Sequence, residues 1–179
     1  WLSRPQPVSK PTKNLMKSTS SFALARLKRA WAWTGLFFIL FVALGYGGLR
    51  RFFDPTDAAR WLGAASLLGI WQLWQLWRAL PQNHRVGENF LLPSFGWGNT
   101  LSILRGFLIA ALAGFLFLPW RDGWLGWLPF ITYLLAALSD FFDGYLARVQ
   151  NHVTELGTVL DMNNDSWGVL IVTLLVFVY

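Results

Sequence analysis

The sequence predicts an all-α bundle of membrane-spanning helices. Apolar residues make up 55% of the chain and charged residues 13%, whereas about a quarter of the residues in a soluble domain are charged. Five long stretches are apolar enough to cross a bilayer, which takes about 20 mostly apolar residues per helix. These stretches are 30–49, 61–77, 99–119, 123–148 and 155–179.

The five stretches differ in where their polar residues lie. The first has no charge, and the second has Ser66, Gln72 and Gln75 as its only polar side chains. We expect the two glutamines to form hydrogen bonds between helices. Polar residues lie in the first two turns of the third stretch, and the charges of the fourth stretch lie in its last turns. A soluble helical bundle is the alternative, and five such stretches in 179 residues argue against it.

Basic residues predict the orientation of the bundle. The net charge is +6, and segment 1–29 carries seven Lys and Arg and no acidic residue. The positive-inside rule places this segment in the cytoplasm, with loops 78–98 and 148–155 on the same side. Loop 50–60, which carries three arginines, would lie outside, in mild conflict with the rule. Beside long apolar stretches, basic charge favours contact with membrane lipids over nucleic acid.

Two further features concern the ends of the stretches. Segment 18–29 is either an amphipathic helix on the membrane surface or disordered. Tryptophans cluster near the ends, as is typical of interfacial anchors. They are Trp31, Trp33, Trp61, Trp77, Trp97, Trp120, Trp124 and Trp127.

The candidate chemistry lies in one stretch, which reads SDFFDGYLARVQNHVTELGTVLDMNNDS from Ser139. Asp140 and Asp143 are three residues apart and share a helix face. Gly144, Ala147 and Arg148 continue along that face. Gly157, Asp161 and Asp165 are spaced by four and share a face of the next helix. We expect two antiparallel neighbouring helices to bring the four carboxylates together at the cytoplasmic end of the bundle.

Four carboxylates in one pocket need compensating positive charge. Arg148 is the only basic residue on the two faces, so we predict a site for Mg²⁺ or Mn²⁺, which prefer oxygen ligands. The chain has no cysteine and the acidic faces have no histidine, which argues against zinc. From spacing alone, a proton or ion pathway through a transporter is the main alternative. A second alternative is that the four aspartates are scattered acidic residues at a solvated helix end. That alternative would not explain why they share helix faces.

The spacing resembles the signature of the CDP-alcohol phosphotransferase family at every fixed position. The pattern is Asp, two residues, Asp-Gly, two residues, Ala-Arg, eight residues, Gly, three residues, Asp, three residues, Asp. Segment 99–105 is similar, more loosely, to the start of the first core helix of that family. The resemblance implies an integral membrane enzyme that transfers a phosphatidyl group from a CDP-linked lipid to an alcohol and releases CMP in phospholipid biosynthesis.

The resemblance also implies roles for individual residues. Asp140, Asp143 and Asp161 would bind two Mg²⁺ or Mn²⁺ ions, and Asp165 would be the general base and a further metal ligand. The CDP moiety would contact a larger set, in which the last three belong to the looser match. That set is Gly144, Ala147, Arg148, Gly157, Asn99, Ser102 and Arg105. For Arg105, snorkelling to the interface is the alternative.

The family core has six membrane helices, so the resemblance divides the chain and implies further helices beyond it. Segment 1–29 is a basic cytoplasmic segment, 30–80 holds two added helices, and 98–179 is the first half of the catalytic core. We therefore expect a fragment that is truncated at its C-terminus. A homodimer is one assembly that the resemblance suggests.

Several polar residues remain outside these assignments. His84 and His152 are expected to be solvated in cytoplasmic loops, and Asn163 or Asn164 is a candidate for substrate contact. The acceptor alcohol is open. Members specific for glycerol 3-phosphate often have Pro after the third aspartate and Lys after the fourth, where this chain has Met162 and Ser166.

Overall fold

The computed structural model describes residues 13–88, 90–149 and 153–179, with side chains described from Ser20 onward. His152 and residues 1–12 of the basic segment lie outside the described residues. Five long helices account for most of the described chain, and no strand occurs in it, so the predicted all-α fold is confirmed. They are α1 (Lys13–Leu49), α2 (Pro55–Ala79), α3 (Gly96–Phe115), α4 (Leu128–Val149) and α5 (Glu155–Val178).

Four of the five helices are long and apolar enough to span a membrane. The candidate spans are Ser20–Leu49, Gly96–Phe115, Gly123–Val149 and Glu155–Val178. The helix α2 is the exception, although the second stretch was predicted to be a span. It carries Asp57, Arg60 and Arg78 near its ends and two glutamines within it, which lower its hydropathy.

The first helix begins earlier than the apolar pattern indicates. Segment 18–29 is neither a separate surface helix nor disordered, because α1 is continuous from Lys13 to Leu49. No glycine or proline interrupts the chain between Lys13 and Thr34, and such residues are the usual helix breakers.

The helix α3 is the centre of the bundle. In an apolar 18-residue segment of α3, 72% of the residues are buried. The corresponding share is 6% for the span that contains α4 and 22% for α5. The helices α2, α4 and α5 all pack against α3, while α4 and α5 hardly touch one another. The prediction that α4 and α5 are direct neighbours is therefore wrong: both pack against α3, and their acidic residues meet over it.

One predicted interfacial tryptophan belongs to the core. Trp61 on α2 is buried, and its indole Nε1 donates a hydrogen bond to the carbonyl of Ala111 at 3.0 Å. The ring lies against Gly45 and Gly114, where a side chain would collide with it. Trp97, Trp120, Trp124 and Trp127 are exposed, as expected of anchors.

Successive helices run in alternating directions. Lys28 on α1 lies over the ring of Trp77, near the end of α2, at 5.4 Å. At the other end of the bundle, the Tyr179 hydroxyl donates to the carbonyls of Phe115 and Leu118 at 2.5 and 2.8 Å. The first residues of α3 and α5 and the last of α4 therefore share one end of the bundle. This end holds the acidic residues.

Candidate active site

The centre of the site is an arginine surrounded by carboxylates. Arg105, on α3, pairs with Asp140 of α4 and with Asp161 and Asp165 of α5. Arg105 Nη1 donates a hydrogen bond to Asp161 Oδ1 at 2.9 Å. Because Asp161 and Asp165 are one helical turn apart, both face α3 from one side while Asp140 faces it from another. These ion pairs connect α3 with α4 and with α5 at this end of the bundle.

The arginine and the carboxylates differ in their access to solvent. The Arg105 side chain is 5% exposed, whereas the side chains of Asp140, Asp161 and Asp165 are 49%, 51% and 63% exposed. Arg105 therefore forms the floor of the site. The carboxylates form its rim and remain accessible to a ligand.

Asp143 is held apart from the other three aspartates. It is buried, and its carboxylate accepts a hydrogen bond of 2.7 Å from the Ser102 hydroxyl. The structure thus brings together three of the four predicted carboxylates and directs the fourth towards α3.

A hydrogen-bond network closes the end of the bundle beside the aspartates. Asn99 Nδ2 donates to Asn83 Oδ1 at 3.2 Å and to Thr154 Oγ1 at 2.8 Å. Thr154 caps α5 by accepting from the Gly157 amide at 3.0 Å. Asn83 Nδ2 in turn donates to the carbonyls of Leu92 and Ser94 at 3.0 and 2.8 Å. Asn99, predicted to contact substrate, therefore also fixes the loop after α2 against the start of α5.

Two close approaches explain small residues of the signature. A Cβ at Gly157 would lie 2.6 Å from Asn99 Oδ1. A Cβ at Gly98 would lie 2.9 Å from the Ala147 Cβ and 3.0 Å from the Asp143 carbonyl. Ala147 therefore packs at the α3–α4 crossing, and Gly157 makes room for the network.

A cavity of about 370 Å³ opens next to these residues. Every residue predicted to contact the CDP moiety lines it except Arg105. The lining includes Asn99, Ser102, Asp143, Gly144, Ala147, Arg148, Gly157 and Asp161.

A second cavity, of about 290 Å³, lies deeper along the helices. Arg105, Asp140 and Asp165 line its polar end, and apolar side chains such as Leu112 and Val172 line the rest. Asp161 faces the first cavity and Asp165 the second. The carboxylate cluster therefore separates a polar space from a largely apolar one.

The cluster fits a divalent cation. Asp140, Asp161 and Asp165 each offer a carboxylate oxygen, and these oxygens lie within 4.8 Å of one another. Three carboxylates and one guanidinium leave two net negative charges, which one divalent ion would balance. Carboxylate oxygens are the ligands that Mg²⁺ and Mn²⁺ prefer.

Some features were not foreseen from the sequence. The sequence indicates phosphate contact or snorkelling for Arg105 and only Arg148 as a basic partner of the aspartates. In the structure Arg105 pairs with three of them, and its phosphate contact stays a prediction. Asn164 is buried, donates to the Ser102 carbonyl at 2.7 Å and lines the deeper cavity, so its contact with substrate stays a prediction. His84 is not solvated: its side chain is 18% exposed and lies 3.5 Å from Glu155. The part that Asn83 and Thr154 play in the hydrogen-bond network could not be predicted from the sequence, because a lone Asn or Thr in a loop has no diagnostic spacing.

The fold and the site together define an integral membrane protein with a metal-capable acidic centre at one end of a helical bundle. Residues 96–179 match the model of the CDP-alcohol phosphatidyltransferase family. The resemblance predicted from the signature is confirmed for this part of the chain.

Curated relatives agree with the family. The chain is 36% identical over 81 residues to a CDP-diacylglycerol–glycerol-3-phosphate 3-phosphatidyltransferase of Cereibacter sphaeroides. It is 36% identical over 76 residues to a protein of the same name from Salmonella choleraesuis. The matches span 45% and 42% of this chain, but 36% and 41% of the relatives' lengths. No solved structure shows a significant match to the chain.

Proposed function

We propose that this chain carries the metal- and nucleotide-binding part of a CDP-alcohol phosphatidyltransferase. The enzyme would transfer a phosphatidyl group from a CDP-linked lipid to an alcohol and release CMP. The observation that carries the proposal is the cluster of Asp140, Asp161 and Asp165 around Arg105, beside a cavity lined by the rest of the signature. The family match favours this enzyme over an ion pathway.

Transfer of a substituted phosphoryl group requires charge neutralisation and positioning more than covalent help. Asp140, Asp161 and Asp165, with Asp143 as a further ligand, would hold one or two divalent cations. When bound, these would neutralise the pyrophosphate and stabilise the departing CMP. Arg105 would hold the carboxylates in place from below.

The polar cavity suits the nucleotide end of the donor. Arg148 is exposed at its rim, where it can reach a phosphate, and arginine pairs well with phosphate oxygens. The Ser102 hydroxyl holds Asp143 at the wall of this cavity. Gly144 leaves the wall open, since a Cβ there would meet nothing closer than the Arg148 guanidinium at 3.4 Å.

Asp165 is proposed as the general base. Attacking and leaving groups lie roughly in line across the transferred phosphorus. Asp165 borders the deeper cavity and Asp161 the polar one, so the two carboxylates face opposite sides of the cluster. A hydroxyl approaching Asp165 would therefore be opposite the CMP leaving group, and its proton would pass to the Asp165 carboxylate.

Glycerol 3-phosphate is the first acceptor to test, because both relatives are named for it. Met162 and Ser166 stand where Pro and Lys often occur in members with that specificity, so other alcohols belong in the same panel. The active site would face the cytoplasm, in agreement with the basic residues that precede the first span.

The test is a product assay on the full-length protein reconstituted in lipid, with CDP-diacylglycerol and a panel of alcohols. We expect CMP release that depends on one alcohol, stops in EDTA and returns with Mg²⁺ or Mn²⁺. CMP release that continues undiminished in chelator would contradict the metal-dependent mechanism. A complete lack of CMP release with every alcohol would contradict the function.

A further inference from the structure

We propose that Gln72 of α2 is a positioning residue for the carboxylate cluster, acting through Asn164 of α5. The helix α2 lies outside the segment that matches the family. The inference would give this added helix a role in catalysis, and it rests on the proposed function.

The first observation is a buried amide without partners. Both amide atoms of Gln72 are shielded from solvent and make no hydrogen bond within the described part of the chain. A buried amide in that state is unfavourable, so nearly all such groups in proteins are paired. Gln72 is therefore poised to pair with a neighbour.

The space beside Gly106 on α3 shows which residue lies near the Gln72 amide. A Cβ at this position would lie 3.1 Å from Gln72 Oε1 and 3.1 Å from Asn164 Oδ1. The two amide oxygens therefore approach the same point above the Gly106 backbone. The oxygen and nitrogen of an amide exchange places when the group rotates by half a turn. That rotation would present the Gln72 amide as a donor to Asn164 Oδ1.

The same patch contains the ring contact between α2 and α5. Trp71 and Trp167 lie with ring centroids 5.2 Å apart in an edge-to-face arrangement. Trp71 adjoins Gln72, and Trp167 is three residues after Asn164. The rings and the amides thus form one contact surface between α2 and α5.

That surface sets the rotation of α5. Asn164 immediately precedes Asp165, and its Nδ2 already donates to the Ser102 carbonyl on α3. The contacts of α5 in the described structure are mainly with α3, so a contact from α2 holds it from a second side. A pairing with Gln72 would lock Asn164 from a second side and keep Asp161 and Asp165 directed at Asp140. Residues that orient metal ligands commonly change metal affinity when they are mutated.

The test measures Mn²⁺ binding to the full-length protein in lipid nanodiscs, by titration calorimetry, in Gln72→Leu and in the matched control Gln75→Leu. We expect Gln72→Leu to raise the Kd for Mn²⁺ by about 10–100-fold, while Gln75→Leu stays near the wild-type value. In an Asn164→Leu background, Gln72→Leu should add little further loss, because coupled residues are not additive. Thermal unfolding serves as the check that each variant is folded.

A Gln72→Leu variant that is less stable but binds Mn²⁺ like wild type would show a merely structural role and overturn the proposal. If Gln72→Leu does not fold, Gly106→Ala tests the same contact from α3, and its added methyl group should also weaken Mn²⁺ binding. Normal Mn²⁺ affinity in Gly106→Ala would then be the contradicting result. Mn²⁺ binding is independent of CMP release, so failure of the proposed function and failure of this inference are distinguishable.

Discussion

At the scale of single residues, the four aspartates of the site differ in their surroundings. Asp140, Asp161 and Asp165 surround Arg105 and remain half exposed, whereas Asp143 is buried against Ser102. Chemically identical side chains are thus given different access to ligands. The proposed assignment of Asp165 as the base rests on the cavity that this carboxylate faces.

Replacement of Asp165 by Asn should stop turnover and spare binding. Asn keeps the size and one oxygen but cannot accept a proton, and loss of a general base commonly lowers the rate by about 10²–10⁴. Asp161→Asn should instead weaken nucleotide binding, since it removes a proposed metal ligand. The measurement is CMP release beside CDP affinity by calorimetry at saturating Mg²⁺. Asp122→Asn, in a loop at the other end of the bundle, is the control. Equal loss of nucleotide binding in both site variants would show that Asp165 acts only as a metal ligand and would remove the base assignment.

Replacement of Arg105 by Gln should make stability depend on metal. Without the guanidinium, three carboxylates repel one another, and the lost charged hydrogen bonds are worth about 1.5–3 kcal/mol each at most. Their exposure to solvent reduces that value. We expect a lower Tm in EDTA and a larger rise in Tm with Mg²⁺ than in wild type. Arg60→Gln, which breaks an exposed pair with Asp57 on α2, is the control. A Tm in EDTA equal to that of wild type would contradict the role of Arg105.

At the scale of helices, the signature serves packing as well as chemistry. Gly98 and Ala147 let α3 and α4 approach closely, and Gly157 makes room for Asn99 at the start of α5. Small residues at such crossings are common between membrane helices. The position of each carboxylate therefore depends on backbone contacts one turn away.

Gly98→Ala tests the α3–α4 crossing. The added methyl group would lie 2.9 Å from the Ala147 Cβ, and overpacking of this kind typically destabilises by about 1–3 kcal/mol. Gly63→Ala on α2 is the matched control, because no atom lies within 4 Å of its added Cβ. We expect Gly98→Ala to lower Tm and nucleotide affinity, and Gly63→Ala to leave both near wild type. A Gly98→Ala protein with unchanged nucleotide affinity would show that the crossing tolerates the methyl group.

The helices were largely predictable from the sequence, but their arrangement was not. Apolar stretches of about 20 residues place α1, α3, α4 and α5 because the bilayer sets their length. Periodicity also places Asp161 and Asp165 on one face. It does not show which helix lies between α4 and α5, since that depends on contacts far apart in sequence. Arg105 was therefore missed as the partner of aspartates 35 to 60 residues away.

For the whole molecule, the arrangement of charge predicts its orientation in the membrane. The described helices alternate in direction, so the acidic end of the bundle and the turn before α4 lie at opposite ends. The basic residues before the first span favour a cytoplasmic position for the acidic end. This orientation can be tested without reference to activity.

The chain has no cysteine, so a single introduced cysteine reports on one position. Val153→Cys lies at the acidic end and Asp122→Cys in the turn before α4, and both native side chains are exposed. In intact cells, a membrane-impermeant thiol reagent should label Asp122→Cys and not Val153→Cys. Opening the cells should make Val153→Cys reactive, which serves as the control for accessibility. Labelling of Val153→Cys in intact cells, with Asp122→Cys protected, would invert the orientation. The donor nucleotide would then have to reach the aspartates from outside the cytoplasm, where it is not made, so that result would also count against the proposed reaction.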